Sequence, residues 1–260
     1  MAEVLVTGGT GTLGRGVVET LLARGHAVRV LSRSGTTGSA DDRVRLVRGD
    51  LASGVGLVEA VAGVETIVHC ATGSARRRAQ REVDVQGTRR LVAAARESGC
   101  SHLLYPSIVG IDGLAFAYYR TKQAVEGELQ RSGIGWTILR ATQFHDLVLT
   151  ALRALHRGPL LVVPRGFRLQ PVDAREVAER LAELAGGEPA GRVGDLGGPE
   201  ALSDEELAER YLAWHRGRRP RIVRVPVPGR TPRAVREGRL LAPGRATGTV
   251  TFEEFLRRQG

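Results

Sequence analysis

Tyr118 and Lys122 are the residues of this sequence whose types and spacing most directly suggest chemistry. Residues four apart share one face of a helix, so this phenol and this ammonium would be neighbours. Lys122 is the only lysine among the 38 basic residues, and the rest are arginines. An arginine cannot replace the compact ammonium of a lysine that must stabilise a phenolate. The pair is therefore a candidate functional site, and the alternative is a surface lysine that the sequence retains by chance.

A glycine-rich turn follows the first strand-like run of the chain. Its residues fit both G-x-G-x-x-G and G-x-x-G-x-x-G, and they are Gly8, Gly9, Thr10, Gly11, Thr12, Leu13 and Gly14. Such glycines permit a tight turn, close approach of the backbone to a pyrophosphate and close packing of helix on strand. The phosphates then bind the N–H groups that begin the next helix. Because a strand precedes the turn and an amphipathic helix follows it, we predict a bound dinucleotide rather than a turn that is merely tight.

The end of the second strand indicates which dinucleotide binds. Where the cofactor is NAD, an acidic residue usually stands here and binds the ribose 2′-hydroxyl. This chain has Ser32, Arg33 and Ser34 instead, and Arg15 after the last glycine could reach the same phosphate. Because a guanidinium can bind phosphate bidentately, we predict NADP(H) in preference to NAD(H), which stays possible. The alternative is that Arg33 is one of many arginines on exposed loops.

Residues at the ends of the third and fourth strands fit the rest of the dinucleotide. Asp50, which precedes Leu51, could accept a hydrogen bond from the adenine amino group or act as a plain turn carboxylate. The fourth strand ends in small residues that would leave room for a ribose, namely Cys70, Ala71 and Thr72. His69 precedes them, and we interpret it as structural rather than catalytic.

These motifs resemble those of the short-chain dehydrogenase/reductases, specifically the atypical, NmrA-like branch of NAD(P)-binding proteins. The resemblance rests on the glycine-rich turn and on residues 49–50, 85–88, 105–110, 118–122, 136–140 and 171–178. It spans residues 3 to about 180, and the tail resembles the family more loosely. The resemblance implies a Rossmann fold and hydride transfer to or from a nicotinamide.

The resemblance also implies a catalytic role for three residues. Tyr118 would protonate the developing alkoxide in reduction, or deprotonate an alcohol in oxidation. Lys122 would bind the nicotinamide ribose and lower the pKa of the tyrosine toward the working pH. Ser107 would hydrogen-bond the substrate oxygen. Tyr119 is the rival tyrosine, but its spacing to Lys122 does not fit the family pattern.

The sequence departs from the wider family at its active-site asparagine. The chain contains no asparagine, and Asp84 stands near the position where many relatives carry one. Atypical members of the family often lose or change their activity, and some bind NADP(H) only to sense its redox state. His145 and Asp146, after the sixth strand, are expected to border the substrate pocket, although a structural role is at least as well supported.

The sequence therefore predicts an NADP(H)-dependent oxidoreductase that acts on a small carbonyl, quinone or enone-like substrate. Two alternatives stay open, a non-catalytic NADP(H)-sensing regulator and a nucleotide-sugar epimerase or dehydratase. The joint presence of Ser107, Tyr118 and Lys122 favours the enzyme over the regulator. A second lobe of about 120 residues is smaller than an epimerase usually has, which ranks that alternative third.

Strands that alternate with helices predict how these residues are held. Runs rich in valine, leucine and isoleucine recur at residues 3–7, 27–31, 44–47, 66–70, 102–105 and 136–139, with helical spacing between several of them. This pattern predicts an α/β fold, a doubly wound parallel sheet over residues 1–140. Residues 141–260 are predicted to form a smaller, mostly helical substrate-binding lobe, from which a strand or two returns to the sheet. Capping boxes at Ser203 and Thr251 predict two of its helices.

Composition excludes several other classes of protein. With 42% apolar and 25% charged residues, 260 residues can bury a substantial core, so the chain is neither disordered nor a coiled coil. No apolar run is long enough to cross a membrane, no leader precedes the first strand, and two cysteines do not suggest a disulfide framework. We therefore expect a cytoplasmic monomer or homodimer with a small-molecule substrate and no metal site.

The positive charge lies almost wholly in the last segment. Residues 216–260 hold twelve arginines against three glutamates, whereas the whole chain carries a formal charge of +10. Aromatic residues do not alternate with these arginines, which makes a nucleic-acid site a weak hypothesis. We interpret the segment as a solvated surface, the alternatives being an anionic substrate, an acidic partner or nucleic acid.

Overall fold

The computed structural model describes residues 3–34, 41, 43–73, 82–217 and 220–260. Its strands, in chain order, are β1 (Glu3–Thr7), β2 (Ala27–Ser32), β3 (Val44–Arg48), β4 (Thr66–His69), β5 (His102–Ile108), β6 (Gly135–Ala141), β7 (His156–Arg157), β8 (Leu160–Pro164), β9 (Arg168–Leu169), β10 (Gly191–Arg192), β11 (Leu202–Ser203) and β12 (Arg221–Val225). Its helices are α1 (Thr12–Ala23), α2 (Leu57–Val61), α3 (Gly87–Glu97), α4 (Ala117–Gln130), α5 (His145–Leu155), α6 (Ala174–Ala185), α7 (Asp204–Trp214), α8 (Arg230–Arg236) and α9 (Phe252–Arg257). A π-helical turn, Glu82–Gln86, leads into α3.

Seven strands form one sheet in the order β10-β6-β5-β4-β1-β2-β3. The described pairings within it are parallel, with Val4 of β1 opposite Val28 of β2 on one side and Thr66 of β4 on the other. β1 and β4 are neighbours although β2 and β3 separate them in sequence, so the strand order reverses at this point. The carboxyl ends of β1 and β4 therefore border the crevice where such sheets bind ligands. This topology confirms the predicted doubly wound α/β fold.

The central strand and the first helix show why the sheet forms here. Val4, Leu5 and Val6 of β1 are fully buried, as expected for a parallel strand covered on both faces. α1 buries Val17 and Leu21, which lie four apart on one helix face. Each such side chain stabilises the fold by about 1.5–3 kcal/mol when it leaves water. The packing fixes β1 against α1 and so fixes the turn between them.

The chain forms two compact units, and each is built from separate stretches. One unit takes the described residues within 1–107, 117–139 and 177–193, and the other takes those within 108–116, 140–176 and 194–260. β10 pairs with β6, so a strand returns to the sheet as the sequence predicts. The predicted boundary between residues 140 and 141 stays a prediction, because compactness does not show which stretches fold alone.

The second unit has its own hydrophobic core. α5, α7 and α9 contribute to it together with the sheet of β7, β8 and β12, and Leu161 and Phe252 are fully buried there. α7 and α9 begin at the predicted capping boxes, where the Ser203 and Thr251 hydroxyls each accept a hydrogen bond from the N–H three residues on. No helix in the described ranges is long and apolar enough to cross a membrane.

Several arginines of the basic segment contact acidic side chains of the same unit. Arg224 contacts Asp204 at 2.6 Å and Glu205 at 3.0 Å, and Arg258 contacts Asp173 at 3.3 Å. Part of the positive charge is therefore matched within the protein, which favours the interpretation of a solvated surface.

Candidate cofactor and active site

The glycine-rich turn between β1 and α1 is too tight for side chains at two positions. Gly8 has a φ of +70°, and a Cβ there would lie 2.7 Å from the backbone N and Cα of Ala71. A Cβ on Gly14 would lie 2.1 Å from the carbonyl oxygen of Gly8. Both glycines are therefore required by the packing of backbone on backbone, as the sequence pattern predicts.

The N-terminus of α1 is open to an anion. The exposed Gly11 is its N-cap, and no described side chain caps it, while the first turn holds no acidic residue. The first N–H groups of a helix have no partner within the helix, and the helix dipole favours negative charge beside them. The turn can therefore hold a phosphate on backbone donors.

A pocket of about 380 Å³ opens beside this turn at the carboxyl ends of β1 to β4. Its lining residues are Gly8, Thr10, Gly11, Leu31, Ser32, Arg33, Ser34, Gly49, Asp50, Leu51, Cys70, Ala71, Thr72 and Gly73. The sequence predicts all of them as cofactor residues except Leu31, Gly49 and Gly73. Gly73 continues the run of small residues after β4, a signal that could have identified it.

Six residues predicted to bind the cofactor lie outside that lining, namely Gly9, Thr12, Leu13, Gly14, Arg15 and Lys122. Gly9 and Gly14 are buried and shape the turn from behind, since a Cβ on Gly9 would meet the Val30 side chain at 2.9 Å. Arg15 is exposed on the first turn of α1, where its guanidinium donates to the carbonyl oxygen of Thr10 at 3.4 Å. Their roles toward a cofactor stay predictions.

Arg33 and Asp50 stand at different parts of the pocket lining. Arg33 is exposed, and the hydroxyls of Ser32 and Ser34 on either side of it lie 3.2 Å apart. A guanidinium flanked by two hydroxyls is suited to a phosphate. Asp50 accepts a hydrogen bond from the N–H of Ala52 at 3.1 Å, so it acts as a turn carboxylate while it also lines the pocket.

Lys122 is buried at the end of β5. Only 7% of it is exposed, and its Nζ donates to the carbonyl oxygen of Pro106 at 3.4 Å. The same Nζ lies 4.7 Å from the ring centre of Tyr105 and 5.9 Å from that of Tyr118. Burial lowers the pKa of Lys122, and the nearby Asp84 carboxylate acts in the opposite direction. α4 thus brings the ammonium beside the phenol ring, as the spacing predicts.

Burial governs the pKa of Tyr118 in the structure. Burial raises it to about 12, the charges of Asp84 and Tyr119 add to the rise, and the Thr72 side chain opposes it. Lys122 is not among these causes. The phenol is therefore held in its protonated form at neutral pH.

Asp84 and Ser107 are buried polar groups with contrasting surroundings. Asp84 is 2% exposed and accepts from the Thr72 hydroxyl at 3.1 Å and from the Gly73 N–H at 2.6 Å. Ser107, at 5% exposure, has no hydrogen-bond partner for its Oγ among the described residues. A buried hydroxyl without a partner is costly unless a ligand completes it, which fits the predicted contact with a substrate oxygen.

His69 is structural, in agreement with the interpretation of the sequence. Its Nδ1 lies 2.6 Å from the Thr7 hydroxyl and its Nε2 lies 2.9 Å from the Thr88 hydroxyl. The Thr88 hydroxyl donates to the Asp84 carbonyl oxygen, so it accepts from Nε2–H, and Nδ1 accepts from Thr7. Burial lowers the pKa of His69 to about 3, which keeps the imidazole neutral in this bridge.

The sequence is similar to that of known nucleotide-binding proteins. Residues 8–184 match a protein-family model described as NAD(P)H-binding. Divinyl chlorophyllide a 8-vinyl-reductase, chloroplastic, from Oryza sativa subsp. indica is 30% identical over 250 residues, which covers 86% of this chain and 61% of that protein. Photosystem II assembly factor Ycf39 from Trieres chinensis is 26% identical, covering 79% of this chain and 66% of that protein. The chain thus spans less than two thirds of the length of these relatives.

The overall fold also matches solved structures. The NADPH-dependent quinone oxidoreductase QOR2 of Escherichia coli, complexed with NADPH, superimposes with a TM-score of 0.83 at 18% sequence identity. The match covers 98% of this chain and 99% of that chain. At this identity the likeness shows a shared fold.

Proposed function

Because this chain belongs to the NAD(P)H-binding family, we propose that it is an oxidoreductase that transfers a hydride between NADP(H) and a small carbonyl, quinone or enone-like substrate. Family membership agrees with the resemblance to atypical short-chain dehydrogenase/reductases that its motifs carry. The observation that most supports the reaction is the buried ammonium of Lys122 beside the Tyr118 ring, within the unit that also holds the glycine-rich turn.

The described residues fit a dinucleotide. Gly8 and Gly14 leave no room for a Cβ, and the open N-terminus of α1 offers backbone donors for a pyrophosphate. Arg33, with Arg15 near the turn, would hold a 2′-phosphate, and Lys122 would hold the nicotinamide ribose. Asp50 and the small residues after β4 would line the adenine and ribose positions. When bound, the nicotinamide supplies or accepts the hydride.

The protein's own side chains would handle the proton and the orientation of the substrate. The Tyr118 hydroxyl, which is protonated at neutral pH, would donate its proton to an oxygen that gains negative charge during reduction. The Ser107 hydroxyl, which has no partner in the described part of the chain, would hold that oxygen in place.

The names of the similar proteins support the same class of substrate. The rice relative is named a vinyl-reductase, and the fold neighbour from Escherichia coli is named a quinone oxidoreductase. The first name describes reduction of a vinyl group and the second describes redox chemistry of a quinone, which motivates the choice of substrates to test.

The first experiment measures binding of NADPH and of NADH to the purified protein, side by side in moderate salt. We expect NADPH to bind at least about tenfold more tightly, since one charge-assisted contact contributes roughly 1.5–3 kcal/mol. Turnover is then screened with small quinones, enones and aldehydes. Failure to bind either nucleotide would overturn the proposal, and equal binding would overturn the choice of NADP(H).

A second candidate is a non-catalytic regulator that senses NADP(H). One relative, which covers 79% of this chain, is named an assembly factor rather than an enzyme. Tight binding of NADPH without turnover on the whole substrate panel would favour this candidate over the oxidoreductase.

A further inference from the structure

The loop after β4 forms one wall of the cofactor pocket. It runs from Cys70 to Gly73, and all four of its residues line the cavity. Near its start the Ala71 N–H donates to the Thr7 hydroxyl at 3.3 Å. This part of the loop lies against the glycine-rich turn, because a Cβ on Gly8 would meet the Ala71 backbone at 2.7 Å. The loop must therefore keep its place if it and the turn are to hold one dinucleotide.

A single buried carboxylate holds the other end of this loop. Asp84, which is 2% exposed, accepts from the Gly73 N–H at 2.6 Å with one oxygen and from the Thr72 hydroxyl at 3.1 Å with the other. Hydrogen bonds to an ionised acceptor are shorter and stronger than those between neutral groups. Asp84 is not among the described residues that line the pocket. It therefore acts on the pocket through two residues that do line it.

Asp84 is itself fixed by hydrogen bonds. It lies on the π-helical turn Glu82–Gln86, and its carbonyl oxygen accepts a hydrogen bond from the Thr88 hydroxyl. The Thr88 hydroxyl accepts in turn from the His69 ring at 2.9 Å, and His69 is the last residue of β4. These bonds close a ring that runs from the end of β4 through Thr88 and Asp84 to the loop. Turns of π-helix are frequent at functional sites, and this one carries the carboxylate that holds the pocket wall.

The two bonds to the loop require hydrogen-bonding groups rather than a negative charge. An asparagine at position 84 could make both, because its oxygen can accept from Gly73 while its amide donates to the Thr72 hydroxyl. A leucine of similar shape could make neither. The pair of substitutions therefore separates the effect of these bonds from the effect of the Asp84 charge on the nearby Lys122.

We propose that Asp84 is a positioning residue that holds the loop after β4 in the shape that binds the dinucleotide. The proposal rests on the dinucleotide binding of the proposed function. A loop that is fixed before the cofactor arrives loses less conformational entropy on binding, so a pre-formed wall raises the affinity. The small residues of this loop are expected to lie beside a ribose, which NADPH and NADH share. Asp84 should therefore act on both nucleotides alike.

The first test compares Asp84→Leu with its matched control Asp84→Asn by isothermal titration of NADPH and of NADH. We expect Asp84→Leu to raise the Kd of both nucleotides about tenfold or more, and Asp84→Asn to stay within about threefold of the wild-type value. Thermal unfolding checks that both variants are folded. Wild-type affinity in Asp84→Leu would overturn the proposal. Equal loss in both variants would also overturn it, because the charge of Asp84 would then matter rather than its two bonds.

The second test uses the wild-type protein without nucleotide, so it does not depend on whether a variant folds. It follows the amide proton of Gly73 by NMR. A short bond to a carboxylate should move this signal downfield and slow its exchange with solvent at least about tenfold relative to an unbonded amide. A Gly73 amide that exchanges as fast as an unbonded one would overturn the proposal.

The failure of this proposal and the failure of the proposed function can be told apart. If the wild-type protein binds neither nucleotide while the Gly73 amide is protected, the proposed function fails, and the role of Asp84 in binding fails with it. If NADPH binds and its Kd is unchanged in Asp84→Leu, the positioning role of Asp84 fails and the proposed function stands.

Discussion

The glycine-rich turn and the proton-transfer centre around Tyr118 are built in opposite ways. At Gly8 and Gly14 the turn works because side chains are absent and backbone meets backbone. The centre works because charged and phenolic side chains are buried together, with Lys122 and Asp84 at 7% and 2% exposure. The spacing of the glycines determines the backbone geometry of the turn. The electrostatics of the centre depend instead on which side chains the fold brings together. We therefore expect substitutions in the turn to abolish cofactor binding, and substitution of the phenol in the centre to lower kcat while cofactor binding is kept.

Adding a single methyl group at Gly14 should abolish cofactor binding by the turn. In Gly14→Ala the new Cβ would lie 2.1 Å from the Gly8 carbonyl oxygen, so the backbone must move. We expect loss of measurable NADPH binding, together with roughly 1–3 kcal/mol of lost stability from overpacking. Isothermal titration and thermal unfolding would measure the two effects. Gly244→Ala is the control, since its Cβ would meet nothing within 4 Å. Wild-type affinity in Gly14→Ala would contradict the backbone account of the turn.

The centre should lose its chemistry while the turn keeps its ligand. In Tyr118→Phe we expect kcat to fall about 10²- to 10⁴-fold, the usual contribution of a general acid. The Kd of NADPH should stay close to that of the wild-type protein, because the phenol is not among the groups proposed to bind the phosphates. Tyr119→Phe, which removes the neighbouring phenol, should retain most of kcat. Full activity in Tyr118→Phe would remove this tyrosine from the mechanism.

The sequence predicts the turn better than the centre, for a physical reason. The glycine pattern, the strand before it and the helix after it lie within one continuous segment, so local rules suffice. The four-residue spacing also predicts that Tyr118 and Lys122 share a helix face. The rise in the pKa of Tyr118 comes first from burial and then from the charge of Asp84, which lies on another element of the fold. No local rule shows how deeply Tyr118 is buried or places Asp84 near it, so the rise to about 12 could not be predicted from the spacing.

Substitution of Arg33 tests whether this exposed residue of the pocket selects NADPH over NADH. In Arg33→Ser we expect the Kd of NADPH to rise about tenfold to a hundredfold, since a charge-assisted contact contributes roughly 1.5–3 kcal/mol. The Kd of NADH should change little, because it has no 2′-phosphate. Arg45→Ser, on the exposed side of β3, controls for loss of one positive charge. Equal weakening of both nucleotides would show that Arg33 does not recognise the 2′-phosphate.

His69 contacts both regions, so lowering the pH should destabilise both over the same pH range. Its neutral ring bridges Thr7, just before the turn, and Thr88, whose hydroxyl bonds the Asp84 carbonyl. The pKa of His69 is about 3 in the folded protein, against about 6.5 when unfolded. Unfolding therefore takes up a proton below pH 6.5, so this contribution to stability is complete above that pH and is lost as the pH falls toward 3. The expected slope is about 1.4 kcal/mol per pH unit.

The His69 bridge is tested by how steeply the free energy of unfolding falls with pH, rather than by its absolute value. His69→Gln should flatten the decline in the free energy of unfolding between neutral and acid pH, measured by urea titration at several pH values. The buried His102 and His145, whose pKa values are also lowered, continue to contribute in the same direction and set the remaining slope. Hydrogen exchange should show that the amides of the turn and those around Asp84 lose protection over the same pH range. Loss of protection at only one of the two regions would show that His69 does not couple them.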